Sequence, residues 1–591
     1  MRRQIRTAAA ATLVLLGLTG CDNDVLDLSP VDQISDEAVF ADPSLAETFL
    51  NDIYIGMGHG LYEIMLSSMT DESHFIHDYS TSDVVQATLT SSDRGAIDDG
   101  RFDHFDWSNN YFRIRQTNIF LENIEQTDFD EELKNRMKGE ALFLRAYFYH
   151  NLMRMYGGVP LITKVYGLNE EYEVPRNSFQ ETVDFIVADA QAAADLLPLS
   201  YSGADVGRAT KGAALALKAR VLTYAASDLY HRAGATAETG YPTAQDRAAM
   251  WRAAKQANED VMNLGLYELF APNPASPEEA AQNFHELFLQ KTSSEAIMSR
   301  FFLVNRGDGY HPGLHNGPNG YHNWGGNTPI QNLVDDFLMA DGTEFDWNNP
   351  EHAAAPYENR DPRFYATILY DGAPWRERPD DVKELDPYGI IQTFRELTLP
   401  DGTTVGGLDT RDGPIEDWNG AYSGYYLKKF IDPSVNHQFV KQEVPWIFFR
   451  YAETLLNYAE ASIELNELDD AIRVLNQLRT RAGMPLIPAG ISQDSLRQLY
   501  RRERRIEMAF EEQRFFDVRR WMIAPDELSE DARGINIFLK GADRVNRETW
   551  TDYRYETRVI QPRAWDDKLY FMPIHRDELN RNSMIVQNPG Y

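Results

Sequence analysis

One cysteine in 591 residues, Cys21, is too few for a disulfide and leaves no cysteine-based zinc site. Basic residues are scarce too: 57 Lys and Arg stand against 91 Asp and Glu, a formal net charge of −34. So acidic a surface argues against nucleic acid or anionic membrane as a partner. The apolar run at residues 8–18 is shorter than the ~20 residues a membrane-spanning helix needs. The GxSxG, HExxH, Walker and dinucleotide-binding patterns are missing, so no common catalytic machinery is visible. Paired carboxylates of the glycosidase kind leave no sequence signature in a chain this acidic.

What is present begins at the N-terminus. Arg2, Arg3 and Arg6 form a positive region ahead of the apolar run, which closes on Leu18-Thr19-Gly20-Cys21. That ending resembles a bacterial lipobox. It predicts a signal peptide over residues 1–20, cleavage before Cys21, diacylglycerol on its thiol and a further amide-linked acyl chain. Several chains anchor stably where one does not. Residues 21–42 would then form a polar tether.

Residues 448–485 carry the clearest helical pattern. With a 3.6-residue period, Tyr451, Leu455, Ala459 and Ile463 share one face, and Ala471, Leu475 and Leu478 share another. Asn466 sits at the reversal, and Gly483 with Pro485 ends the second helix. This is a tetratricopeptide-like hairpin, which cannot bury its apolar face alone and needs neighbours of its own kind. Further helices are predicted over about 44–56, from Trp107, within 139–157, after the N-cap Ser178, across the Ala-rich 207–226 and over about 245–263. The expected fold is mainly α: about four tetratricopeptide-like hairpins in a superhelical body, with minor β-hairpins. Residues 71–106 read as loop. Between about 305 and 424 helical periodicity is lost except near 330–339, and a hairpin is expected where 389–397 and 403–405 flank Pro400-Asp401-Gly402. Long irregular segments in compact domains usually carry function. The basic run at 501–505 interleaves with Glu503, Glu507, Glu511 and Glu512, which reads as ion pairing rather than nucleic-acid binding.

Several stretches, in order, resemble the SusD/RagB family of outer-membrane nutrient-binding lipoproteins. They are GEALFLRAYFYHNLMRMYGGVPL from Gly139, VPRNSFQETVDFIVADAQAAADLLP from Val174, NRDPRFYATIL from Asn359, SGYYLKKF from Ser423, FRYAETLLNYAEA from Phe449, ERRIEMAFEEQRFFDVRRW from Glu503 and MPIHRDELNRNSMIVQNPGY from Met572. The resemblance implies four tetratricopeptide-like units, a loop-rich ligand face and no catalysis. It implies an N-terminal helical part over 43–270 and a C-terminal part over 271–591 with ligand loops at 305–424, together one structural unit. It also implies a partner, a SusC-like TonB-dependent transporter that the protein caps as a lid, and an outer-membrane location facing the exterior. The expected ligand is an oligosaccharide or polysaccharide. Alternatives are a peptide or another nutrient, or a structural lid without a ligand site of its own.

Sugars present apolar faces to aromatic rings and hydroxyl rims to amides, carboxylates and guanidiniums. The richest stretch of this kind is 305–327, where Tyr310, Tyr321, His322 and Trp324 stand among glycines that let side chains project. By the resemblance, the aromatic loop ahead of PIQNLVDDFLMADG lines the binding site, with Trp324 the first choice. The competing reading is that Trp324 and Tyr321 pack the loop onto the body. The resemblance also draws Tyr79 and Asp83 from the loop before the Trp107 helix, whereas Trp107 reads as framework. The pairs His74/His77 and His311/His315 lack a carboxylate to complete a metal site. No cofactor is expected. DGTEFDWNN from Asp341 has alternating oxygen ligands that could serve a structural calcium but lacks the twelve-residue calcium-loop pattern.

Overall fold

The computed structural model describes residues 36–591 apart from 78, 99, 168 and 305–310. The expectations for the signal peptide, for Cys21 and its lipid, and for Tyr310 lie outside the described residues. The principal helices are α1 (Pro43–Ile55), α2 (Trp107–Ile124), α3 (Glu131–Tyr156), α4 (Phe179–Leu196), α5 (Lys211–Ala225), α6 (Arg247–Met262), α7 (Tyr451–Glu464), α8 (Leu468–Arg481), α9 (Gln493–Glu507) and α10 (Arg514–Arg520).

Their ends follow local chemistry. Asp106 caps α2 by accepting from the Asn109 amide, and Asp130 caps α3. Ser178 and Glu181 form a reciprocal capping box on α4. The Asp130 cap starts α3 well ahead of Gly139, where the apolar stripe begins, and the helix stops at Gly157, whose φ of 85° other residues avoid.

From α2 to α8 each helix packs on the next. The α6–α7 contact is the exception in chain order, since it joins segments separated by the whole loop region. α7 also touches α5 and α9, which makes the 448–485 hairpin the junction of the body. Leu455, Ala459, Ile463, Ala471, Leu475 and Leu478 are all fully buried there, with Asn466 left-handed at φ 59°. The basic face of α9 turns inward, as expected for ion pairing. Arg450 Nη1 lies 2.7 Å from both Glu295 and Glu507, and Arg504 lies 2.7 Å from Asp517.

Strands are few and short. β1 (Ser73–Phe75) pairs antiparallel with β2 (Asn327–Pro329). β3 (Glu396–Thr398) and β4 (Thr404–Val405) form the expected hairpin, shorter than predicted, with Leu397 opposite Val405. β3 also runs parallel to β5 (Ala532–Gly541), and β6 (Trp550–Gln561) completes the sheet antiparallel to β5. The segment 71–106 is not all loop: it holds β1 and a short helix, Ser82–Val85. The main cluster of buried apolar side chains draws on residues from Phe40 to Ile574. Among the described residues no helix is long and apolar enough to cross a membrane.

Candidate functional site

The β1–β2 ladder brings together the two regions singled out in the sequence. Ser73, His74 and Phe75 pair with Pro329, Thr328 and Asn327, and the Ile76 amide donates to Gly326 O at 3.0 Å. Asn327 rivets the junction from a fully buried position. Its Nδ2 donates to Glu63 O and Asn316 Oδ1, both at 2.7 Å, while its Oδ1 accepts from the Met65 amide at 2.9 Å.

Trp324 stands on this junction with 38% of its surface exposed. Its amide donates to Leu314 O at 2.7 Å, and its indole stacks on the His315 imidazole, ring centroids 5.3 Å apart and 25° from parallel. Burial pushes His315 down to about 4, so that ring is neutral at physiological pH. The His77 ring hydrogen-bonds the Trp324 backbone and lies nearly parallel to Tyr79 at 6.3 Å. Tyr79 is 40% exposed and its hydroxyl donates to Glu63 Oε1 at 2.5 Å. Arg101 lies 5.3 Å over the Tyr79 ring and 3.1 Å from Glu63. Burial raises the Glu63 carboxyl, but the Tyr79 hydroxyl and Arg101 outweigh it and leave the group below its ordinary value.

A third exposed ring comes from a residue that the sequence reading passed over. Trp418 is 63% exposed on a short turn, and its carbonyl accepts from Arg411 Nη1 at 3.0 Å. Gly325 places that turn beside Trp324: φ is 57°, and a Cβ there would meet Asn419 O at 2.4 Å. A tryptophan between Asp417 and Asn419-Gly420, in a stretch without helical period, was the available signal.

The other candidates separate by burial. Tyr321 is 2% exposed, donates its hydroxyl to Arg376 O at 2.8 Å and lies beneath the Arg378 guanidinium at 4.2 Å. It holds the loop down and offers no face to a ligand. The glycines of 317–326 accordingly admit close packing rather than projection, and of Tyr321 and Trp324 only Trp324 stands out. His322 is partly exposed and left-handed at φ 58°. Its Nδ1 lies 2.8 Å from Glu416 and its Nε2 3.1 Å from Asp381. Burial lowers its pKa, yet these two carboxylates prevail and raise it above the ordinary value. Asp83 is half-buried and accepts from Thr88 Oγ1 at 2.9 Å, so it fixes its own turn. Trp107 is framework, 3% exposed. Among the described residues no group of three or more His, Cys, Asp or Glu is arranged for a metal, and Asp341 Oδ1 is engaged by the Thr343 amide and hydroxyl.

The three exposed rings, Trp324, Trp418 and Tyr79, lie on adjoining segments and make a candidate shelf, with Glu63, Arg101, Arg411, Glu416 and Asp381 among the contacts that hold those segments. It can pack apolar ring faces and hydrogen-bond hydroxyls. A helical-repeat body bearing such exposed rings suits a ligand-binding protein. The SusD family model matches residues 285–591, and a second, described as starch-binding and associating with the outer membrane, matches 24–223. The chain belongs to the SusD family, whose members bind carbohydrate without catalysis, and it is not an enzyme. A crystal structure of a SusD-like protein from Bacteroides fragilis is 30% identical, covers 95% of this chain and all of its own, and superposes with a TM-score of 0.74. A SusD-like carbohydrate binding protein from the same species shares the fold at 23% identity and a TM-score of 0.70, over 92% of this chain and 99% of its own. SusD-like protein P38 of Formosa agariphila is 24% identical over 86% of this chain and 89% of its own length.

Proposed function

We propose that the protein captures an oligosaccharide or polysaccharide at the cell surface on the Trp324–Trp418–Tyr79 shelf and delivers it to a SusC-like TonB-dependent transporter, for which it acts as the lid. The stacking of Trp324 on His315 carries this reading, because it presents one rigid, open aromatic face beside hydroxyl-binding carboxylates and guanidiniums. Family membership, and a solved relative named as a carbohydrate binding protein, support the ligand class. The family description of outer-membrane association supports the location. In this reading lipid on Cys21 holds the body to the outer membrane, facing outward. Calorimetry against a panel of purified glycans tests the ligand: heat with one glycan class is expected, and none with any glycan would overturn it. Mass spectrometry of ligand carried by the native complex separates glycan from peptide. For the anchor, Cys21→Ala is expected to move the protein from the membrane to the soluble fraction in cells lacking the transporter.

A further inference from the structure

Buried arginines in this protein commonly face a carboxylate. Arg363, Arg450, Arg504 and Arg520 each have one within 2.8 Å. Arg519 and Arg563 do not: among the described residues neither has a carboxylate side chain at ion-pair distance, although both are buried, at 3% and 8% exposure. Arg519 donates Nε to Leu569 O at 2.9 Å and Nη1 to Phe515 O at 2.7 Å. Arg563 donates Nη2 to Ser73 O at 2.8 Å and Nη1 to Thr70 O. The nearest acids are committed elsewhere. Asp71 is paired with Arg505 and Arg514, and Asp531 Oδ1 accepts the Arg563 backbone amide at 3.0 Å.

Each guanidinium keeps one buried nitrogen without a protein hydrogen-bond partner, Nη2 on Arg519 and Nε on Arg563. Both side chains line one small cavity, otherwise walled by apolar groups such as Met69, Val84, Leu528 and Trp565. The cavity is small, with room for a single small particle. A buried charge with no carboxylate at ion-pair distance is costly. Burial pulls Arg519 down to about 9 and Arg563 down to about 10, and the nearby Tyr591 and Tyr570 hydroxyls on Arg519, and Asp71 and Asp531 on Arg563, offset it only in part.

We propose that this cavity is a site for one small monovalent anion, chloride, bound between Arg519 Nη2 and Arg563 Nε. A halide supplies the missing charge, accepts from both donors without directional demands, and fits where carboxylate or phosphate is too large. A neutral water would satisfy one or both donors but leave the charge. The site also has a position that matters. Its wall includes the short helix Ser82–Val85, which follows Tyr79, and the Ala564 amide donates to Val85 O at 2.9 Å. Arg563 grips the carbonyl of Ser73 in β1 as well. A bound halide therefore braces the segment that presents Tyr79 against α10 and the chain after β6. This holds whatever ligand the shelf takes.

The test uses the full mature protein. Replacing sodium gluconate by sodium chloride at fixed ionic strength is expected to raise Tm by about 1–3 °C, with saturation. Crystals soaked in sodium bromide are expected to show an anomalous peak in the cavity. Arg519→Met is expected to lose the halide dependence; should that variant not fold, the bromide map of the unaltered protein decides alone. A water molecule there with no bromide peak, or a Tm that follows ionic strength whatever the anion, would overturn the assignment.

Discussion

The indole of Trp324 lies on the imidazole of His315 with 5.3 Å between ring centroids. One face of the tryptophan is thus occupied and its orientation set, while the outer face stays open. An aromatic held this way binds without first losing rotamer freedom. Trp324→Ala is expected to weaken binding of whichever glycan the unaltered protein takes by about tenfold, or about 1.4 kcal/mol. Because the ring is 38% exposed, the loss of stability should be smaller than for a fully buried aromatic residue, and the variant should stay folded under the conditions of the titration. Unchanged calorimetric affinity would remove the shelf from the binding site.

Trp418 makes a separate prediction. It is more exposed than Trp324 and sits on the neighbouring turn. A glycan long enough to cross both rings should lose affinity in Trp418→Ala, by about tenfold again, while a short fragment seated on Trp324 should not. Titrating both lengths into one variant reads the difference directly.

Tyr321 should behave in the opposite way. Its ring is buried under Arg378 and its hydroxyl is bonded to Arg376 O. Tyr321→Ala is expected to cost about 3–5 kcal/mol of stability, and Tyr321→Phe only about 1 kcal/mol. Urea denaturation distinguishes the two. A stable Tyr321→Ala protein that merely fails to bind would restore Tyr321 to the ligand face.

These contrasts mark how far the sequence could be read. The helical body was legible because its signals are local: the 3.6-residue stripe of α7 and α8, Asn466 at the turn, the Ser178 cap. The pairing of α6 with α7 was not, since no local pattern records a contact across the loop region. Proximity of the Tyr79 and Trp324 loops came from the family resemblance, and the β1–β2 ladder supplies its geometry. Which aromatic residue of the loop faces out was not legible in the composition, and the choice of Trp324 came from the family resemblance. Tyr321 and Trp324 are three residues apart in the same glycine-rich composition, and only the tertiary contacts of Arg378 and His315 separate them.

His322 gives the shelf a pH dependence. Both ring nitrogens face carboxylates, Glu416 and Asp381, and only the imidazolium can donate from both. Its pKa is raised in the folded protein, so its stabilising contribution is full below the unfolded value of about 6.5 and is lost as pH rises through the higher folded value. The clasp ties the Trp324 loop to the Trp418 turn, and both His322 and Glu416 hold left-handed backbone. Proteolysis within 411–420 is therefore expected to quicken as pH rises above about 6.5. His322→Gln should flatten that profile; matching profiles for both proteins would separate the clasp from the turn.

Glu72 points to a second pH effect, deep in the core. Burial first, and then the Asp71 charge, push its carboxyl up to about 8, so it is protonated at neutral pH in the folded state. The unfolded carboxyl ionises near 4.3. Its contribution to stability is therefore complete below about 4.3 and falls as pH rises toward 8, with a slope approaching about 1.4 kcal/mol per pH unit. Asp71 does not share this behaviour, because Arg505 and Arg514 outweigh its burial and hold it ionised. Glutamine has the shape of the protonated acid and cannot ionise. Its side-chain oxygen can also accept from the Phe510 amide, as Glu72 Oε1 does at 3.4 Å. Glu72→Gln should match the unaltered protein at pH 4.5 and exceed it in Tm at pH 7.5. A variant less stable than the parent at pH 7.5 would show that Glu72 is ionised in the folded core, with Arg514 rather than a proton balancing its charge.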